Sequence, residues 1–185
     1  MKERSKQPSM SDENPAVDTA WVRQVAESEG AGLTRYAYSL CGDIEAAHDA
    51  VQDTFLRLLR QPRSRIESYI KPWLFTVVRS RVVDLKRKEA RMTPMDTPAM
   101  AAQPSAERSP AATAETGELA CIALKLLETL PEAQREAIRL KYQTGLSYEE
   151  IARVMDRSVN AVGLLLHEGL RTLRQKLKET KAVPA

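Results

Sequence analysis

The chain has 185 residues, of which 43% are hydrophobic and 29% charged, with a net charge of +3. That balance describes a soluble globular protein and excludes a fibrous or wholly disordered one. No stretch of about eighteen uncharged apolar residues offers a membrane span, and the charged start MKERSKQPSMSDENPAVD lacks the apolar run of a secretory leader, so a cytoplasmic location is expected.

In chain order, residues 1–17 are expected to be a disordered tail. Leu33, Ala37 and Leu40 then mark one helical face, ended by Gly42-Asp43. Ile44, Ala47, Val51, Phe55 and Leu58 recur at spacings of three and four, an amphipathic stripe that stops near Pro62. A third run, Ile70, Leu74, Val78, Val82 and Leu85, predicts a helix over roughly 67–89, with Pro72 in its first turn, where a missing N–H does no harm. Trp73 and Val77 widen its apolar side; Trp73 is read as core, with base stacking as the alternative. No alternation of strand type persists anywhere.

Residues 92–118 hold Pro94, Pro98, Pro104 and Pro110 among Ala, Ser and Thr. Such a segment buries too little surface to offset its ordering entropy, so it is expected to be a flexible linker. Beyond it, Ile122, Leu126 and Leu130 share a face, and Pro131 opens a helix running through Ile138 and Tyr142 to Gly145. Ser147 with Glu150 has the spacing of a capping box, a specific helix start. That helix ends near Asp156; Ser158 can cap the next, whose Val162, Leu166, Leu173 and Leu177 point inward. The expected fold is therefore all-α: two small helical domains, 18–91 and 119–179, on a flexible linker, with a short tail at 180–185. Each domain is small enough to be marginal alone.

The cations are uneven. Arg79, Arg81, Lys86, Arg87, Lys88 and Arg91 crowd one stretch, a second surplus follows Arg171, and the linker between is acidic. Catalytic templates are missing: there is no Gly-rich phosphate loop and no H-E-x-x-H, and His48 and His167 are the only histidines. Neither Cys41 nor Cys121 has a partner motif, so both are read as reduced thiols. No catalytic residue, metal or cofactor is expected. Gly163 and Gly169 each cost about 1 kcal/mol inside a helix, which suggests close approach by a partner backbone.

The segment SYEEIARVMDRSVNAVGLLLHEGL (147–170) has the layout of a helix-turn-helix, a tight bend at Asp156-Arg157 between two short helices. With the upstream LPEAQREAIRLKYQTGL it resembles region 4 of the extracytoplasmic-function sigma factors of bacterial RNA polymerase. AAHDAVQDTFLRLL (46–59) resembles their region 2 motif A-E-D-L-V-Q-E-T-F, and WLFTVVRSRVVDLKRKEAR (73–91) the following W-L-x-x-I-x-x-N-x-x-x-D-x-x-R. The matches come in the family's order, with the linker in the family's place. His48 replaces a Glu, Asp53 shortens another, and Ser80 stands where Asn is common. In region 4, where the family writes S-x-G-T-V-K-S-R-L-x-R-A, Ala161, Gly163, Leu164, Leu165 and Glu168 replace Thr, Lys, Ser, Arg and Arg, groups expected to meet phosphates and bases.

The resemblance implies a promoter-specificity factor for core RNA polymerase, region 2 at the minus-ten element and region 4 at the minus-thirty-five element, with an anti-sigma factor as a further partner. It implies that Asp49, Gln52, Asp53 and Phe55 bind polymerase. It implies region 2 DNA contacts from Arg63, Arg65, Tyr69, Arg79, Ser80, Arg81, Asp84, Lys86 and Arg87, with the loop 61–68 edging a pocket for flipped bases. Region 4 contacts are expected from Arg157, Ser158, Asn160, Gly163, Leu164, His167 and Arg171, with Arg174 near the backbone. A tethered reader works at an effective concentration near millimolar, so few cations suffice. The 27-residue linker spans about 90 Å extended, more than the roughly 70 Å of two DNA turns. Leu164-Leu165 has a second reading, an apolar patch for an anti-sigma factor or the polymerase flap. Two rivals stand beside this reading: a dimeric operator-binding helix-turn-helix regulator and a helical protein-interaction adaptor.

Overall fold

The computed structural model describes residues 18–92 and 122–182, all helix and short turns with no strand among them. The tail 1–17, nearly all of the linker and Cys121 lie outside the described residues.

Helix α1 (Thr19–Cys41) begins where the Asp18 carboxylate accepts the Trp21 N–H at 2.9 Å. It starts well before the apolar face read from Leu33, because Trp21, Val22 and Val25 are also buried. Gly42 stops it at φ 75°, a left-handed geometry that costs glycine nothing. Asp43 then caps α2 (Ile44–Leu58) by accepting from the N–H groups of Glu45 and Ala46. The expected loop 61–68 is instead largely helical: α3 (Arg63–Ile66) leads into a 3-10 turn (Glu67–Tyr69), pinned by the buried Ile66. Ring contact helps set this corner, with the Arg63 guanidinium 5.5 Å over the Trp21 ring.

Helix α4 (Ile70–Met92) follows, three residues later than the expected start because the 3-10 turn takes those positions. Its core comprises Leu74, Val78 and Val82, as the periodicity predicts, together with Phe75, whose ring meets that of Tyr36 edge-on at 5.2 Å. Trp73 is partly buried against this core. Together α1, α2 and α4 form the first domain.

In the second domain, helix α5 covers 122–128 and α6 runs Glu132–Tyr142. The capping box expected at Ser147 is present with both of its bonds: the Ser147 Oγ accepts the Glu150 N–H at 3.2 Å, and the Glu150 carboxylate accepts the Ser147 N–H at 2.7 Å. Helix α7 (Tyr148–Met155) ends at Asp156, φ 53° and ψ 55°, a left-handed conformation that Asp tolerates better than most residues. Helix α8 (Val159–Ala182) begins where the Ser158 Oγ accepts the Ala161 N–H. Val162 and Leu166 are buried as predicted, while Leu173 is only partly so. Gly169 is explained within the chain: a Cβ there would meet Ile138 Cδ1 at 2.8 Å and Gln134 Cβ at 3.3 Å, so the close neighbour is α6. Gly163 has open space around it.

The two domains pack on each other, chiefly through α4 against α7.

Candidate nucleic-acid interface

Three surfaces carry the polar residues singled out by the sequence. On α2 the hydrophobic stripe turns Ala47, Ala50, Val51, Thr54 and Leu58 inward. Asp49 and Gln52 are left in water, and Leu56, exposed at 55%, stands one helical turn beyond Gln52 on the same side. The two residues expected beside them, Asp53 and Phe55, are half-buried and engaged within the chain. Phe55 packs partly against the core. Asp53 is drawn to α4, its Oδ2 lying 2.7 Å from Arg81 Nε, in an ion pair whose N–H is not aligned for a hydrogen bond.

On α3 and α4 the expected DNA-facing groups separate by what already holds them. Arg63 donates to the Asp18 carboxylate at 3.0 Å and to Glu67 at 2.6 Å and 3.1 Å. The Glu67 and then the Asp18 carboxylate push its pKa up further. In return, Asp18 is held below the usual carboxylate range by the Trp21 N–H and by Arg63, and Glu67 by Arg63. Arg63 is thus a corner brace. Arg79 donates to Glu136 at 2.7 Å, Arg81 is paired with Asp53, and Lys86 lies 3.4 Å from Glu132. Burial works against the Arg79 cation, but the Glu136 carboxylate outweighs it and raises the pKa. Arg65, Tyr69, Ser80, Asp84 and Arg87 are exposed, and Ser80, Asp84 and Arg87 line a cleft of about 370 Å³ whose other wall is Arg153 and Val154 of α7 with Asp156 just beyond its end.

On α8 the exposed positions Asn160, Leu164, His167, Arg171 and Arg174 recur every three or four residues, one continuous face of the helix. Arg157 is exposed in the bend; Ser158 spends its hydroxyl on the cap, and Gly163 is half-buried at the edge of the face. The substitutions that strip this helix of cations divide in two. Leu165 packs against the core, and Glu168 accepts from Gln134 of α6 at 3.3 Å, so both turn away from the exposed face. Leu164 alone of the leucine pair is fully presented, 58% exposed, which leaves no contiguous two-leucine patch.

A feature the sequence reading missed is Glu136, only 6% exposed, receiving both the Tyr36 hydroxyl at 2.8 Å and Arg79. Burial first, and then the charge of Glu136, push the Tyr36 phenol well above its ordinary pKa, so it remains a donor. The available signal was weak: α6 carries apolar residues on more than one side of Glu136, namely Ala133, Ala137, Ile138 and Leu140.

The family comparisons agree with this layout. The family description sigma-70 region 2 matches residues 25–92, and sigma-70 region 4 matches 122–173. These matches define a two-domain factor of the sigma-70 class. Among relatives, the ECF RNA polymerase sigma factor SigM of Bacillus subtilis is 33% identical over 125 residues, covering 67% of this chain and 75% of that protein. SigL of Mycobacterium tuberculosis, another ECF RNA polymerase sigma factor, is 29% identical over 167 residues, covering 89% of this chain and 93% of its own. Among solved structures, the sigma factor RpoE in complex with the anti-sigma factor NepR from Bartonella quintana superposes with a TM-score of 0.58 at 24% identity, covering 84% of this chain and 96% of that one. CnrH in complex with the cytosolic domain of CnrY gives 0.55 at 23%, covering 88% and 90%, and both share the fold. The chain belongs to the extracytoplasmic-function group of sigma-70-type RNA polymerase sigma factors, and its function is transcription initiation: it binds core polymerase and directs it to promoter DNA.

No described helix is long and apolar enough to cross a membrane.

Proposed function

We propose that three separate faces divide the work of initiation, and that the chain itself makes and breaks no covalent bond. The α2 face of Asp49, Gln52 and Leu56 docks on the polymerase: a carboxylate and an amide supply directional bonds, and an exposed leucine beside them excludes water from those bonds. Asp53 and Phe55 support that face from behind, through Arg81 and the core.

The α3–α4 surface holds the opened minus-ten element. Arg65, Arg87 and, once released from carboxylates, Arg79 and Lys86 neutralise phosphates, while Tyr69 at 41% exposure offers a ring on which an extruded base stacks. Ser80 and Asp84 lie along the same face as hydrogen-bonding groups for base edges. The α8 face carries the minus-thirty-five contact: Asn160 suits the paired donor and acceptor of adenine, Leu164 an apolar thymine methyl, and Arg157, Arg171 and Arg174 the backbone. Leu164 stands between Asn160 and His167 on this face, which favours DNA over a protein patch. An anti-sigma factor is proposed as a regulator, as RpoE and CnrH are each described in complex with a protein partner. The place of action is the cytoplasm, where the polymerase is.

The observation that carries this division is the α2 face, because Asp49 and Gln52 are exposed, unpaired among the described residues, and have an apolar neighbour. Core polymerase mixed with this chain on a supercoiled template tests it. Wild type starts at a defined site that core alone ignores; Gln52→Ala with Asp49→Ala loses association with core while free-chain DNA binding persists. A double variant that still associates at wild-type affinity overturns the assignment of α2.

A further inference from the structure

The first turns of α8 present a surface whose chemistry is one-sided. Ser158 caps the helix, and in a helix-turn-helix the residues just beyond the cap meet base edges in the major groove. Seen down the axis at 3.6 residues per turn, Val159 and Leu164 edge an arc of about 140° that also holds Asn160, Gly163 and His167. Val159 is 39% exposed and Leu164 58%, and Asn160 and His167 are exposed with them. Val162 and Leu166 of the same turns are buried, so this arc is the side that can enter a groove.

Each base pair shows the major groove its own set of groups. Guanine is read by paired donors to O6 and N7, supplied by Arg or Lys, and residues 159–170 contain neither. The first cation of α8 is Arg171, and the 11 residues from Asn160 to it rise about 16 Å, farther than the roughly 12 Å width of the groove. A neutral His167 offers a single donor, too few for that pair of bonds. Cytosine is read by an acceptor at N4, and the carboxylate of these turns, Glu168, is bonded to Gln134 of α6 instead. Adenine and thymine are served better. The Asn160 amide matches adenine N6 and N7, and two exposed aliphatic side chains match the thymine methyl group.

Gly163 is an independent sign. Glycine is disfavoured inside a helix, yet no other part of the fold lies within 4 Å of where its Cβ would stand, so nothing within the chain requires it. On the reading arc, a residue without a side chain lets the helix backbone settle towards the groove floor, which brings the short side chains of Val159 and Asn160 within reach of bases. We propose that α8 reads its promoter element through thymine methyl groups and adenine edges, with Leu164 and Val159 as specificity-determining side chains and no guanine required, an assignment that rests on the reading of this face as the minus-thirty-five contact.

The test uses holoenzyme assembled from core polymerase and the full chain. Templates randomised over the upstream and downstream elements are transcribed, and the productive ones are sequenced. The expected upstream element is an A·T tract with no invariant G·C pair. On that element, uracil in place of thymine removes a methyl and no hydrogen-bonding group, and holoenzyme affinity is expected to fall about fourfold at each contacted position, the effect of leaving one methyl group unburied. Leu164→Ala, an exposed position whose side chain the fold does not need, is expected to lose a similar factor on the thymine template and to make thymine and uracil equivalent at one position. That double-mutant cycle separates a methyl contact from sequence-dependent duplex shape, which would survive the variant. An obligatory guanine upstream overturns the methyl readout, as does uracil serving as well as thymine at every position, or a thymine preference untouched by both Leu164→Ala and Val159→Ala. A flat upstream selection, with the downstream element still selected, removes α8 as the minus-thirty-five reader and the methyl readout with it.

Discussion

The long helices α4 and α8 carry seven and five Lys and Arg residues and differ in what those cations are doing. On α4, Arg79, Arg81 and Lys86 each face a carboxylate from another helix, Glu136, Asp53 and Glu132. On α8, Arg171 and Arg174 are exposed and make no ion pair with a described residue. A count of basic residues ranks α4 as the stronger phosphate binder, but its ion pairs set Arg79, Arg81 and Lys86 aside and leave exposed Arg87, Lys88 and Arg91, no more than the exposed Arg171, Arg174 and Lys178 of α8. Charge becomes binding capacity only where no internal partner has claimed it.

The largest break in this comparison comes from removing what holds α8 in place. Leu166 is 2% exposed, and Leu166→Ala is expected to cost about 2–5 kcal/mol in chemical denaturation. A loss below about 1 kcal/mol would mean that α8 does not pack as described. Next, the two glycines of α8 should respond in opposite directions. Gly163→Ala, in open space, gains about 1 kcal/mol of helix propensity. Gly169→Ala makes the same gain but drives a methyl to within 2.8 Å of Ile138 Cδ1, and overpacking of about 1–3 kcal/mol leaves it neutral to destabilising. Equal shifts in melting temperature would contradict the α6–α8 contact.

The cations themselves sharpen the contrast. Arg171→Ala is expected to flatten the dependence of log K on log salt for duplex DNA by about 0.9, the contribution of one phosphate contact, whereas Arg81→Ala, whose charge Asp53 already occupies, changes it by less than about 0.4. Matching slopes for the two variants would erase the distinction. The smallest effect is on acid stability at the α1–α3 corner. Asp18 and Glu67 are held below their ordinary values of 3.8 and 4.5, so the stability they contribute is present above those values and is lost as pH falls through the lower folded ones. Replacing Arg63 with Met is expected to make stability less steep below about pH 4, in urea titrations at stepped pH. An unchanged acid limb would remove Arg63 from its bracing role.

Much of this molecule is legible in its residues because local chemistry decides it. Asp43, Ser147 and Ser158 start helices, Gly42 and Asp156 end them, and the spacing of Val51, Leu58, Val78, Val82, Val162 and Leu166 names the buried faces. The same spacing places Asn160, His167 and Arg171 together on the opposite side of α8. What was not legible lies between elements. Asp53 reads as a polar neighbour of Gln52 until α4 brings Arg81 to it. That Asp18, Glu67 and Trp21 gather around Arg63 is likewise invisible in the residues alone. Glu168 reads as a carboxylate facing DNA until α6 turns out to be the surface it meets.

The sequence by itself determined the helices, their caps, their inward stripes and, through three ordered motifs, the family, because each depends on residues within one or two turns of one another. Only the tertiary structure decided which charges are spent and which remain available. An ion pair forms between groups that packing brings within a few ångströms, whatever their separation along the chain, and 57 positions separate Arg79 from the carboxylate that holds it.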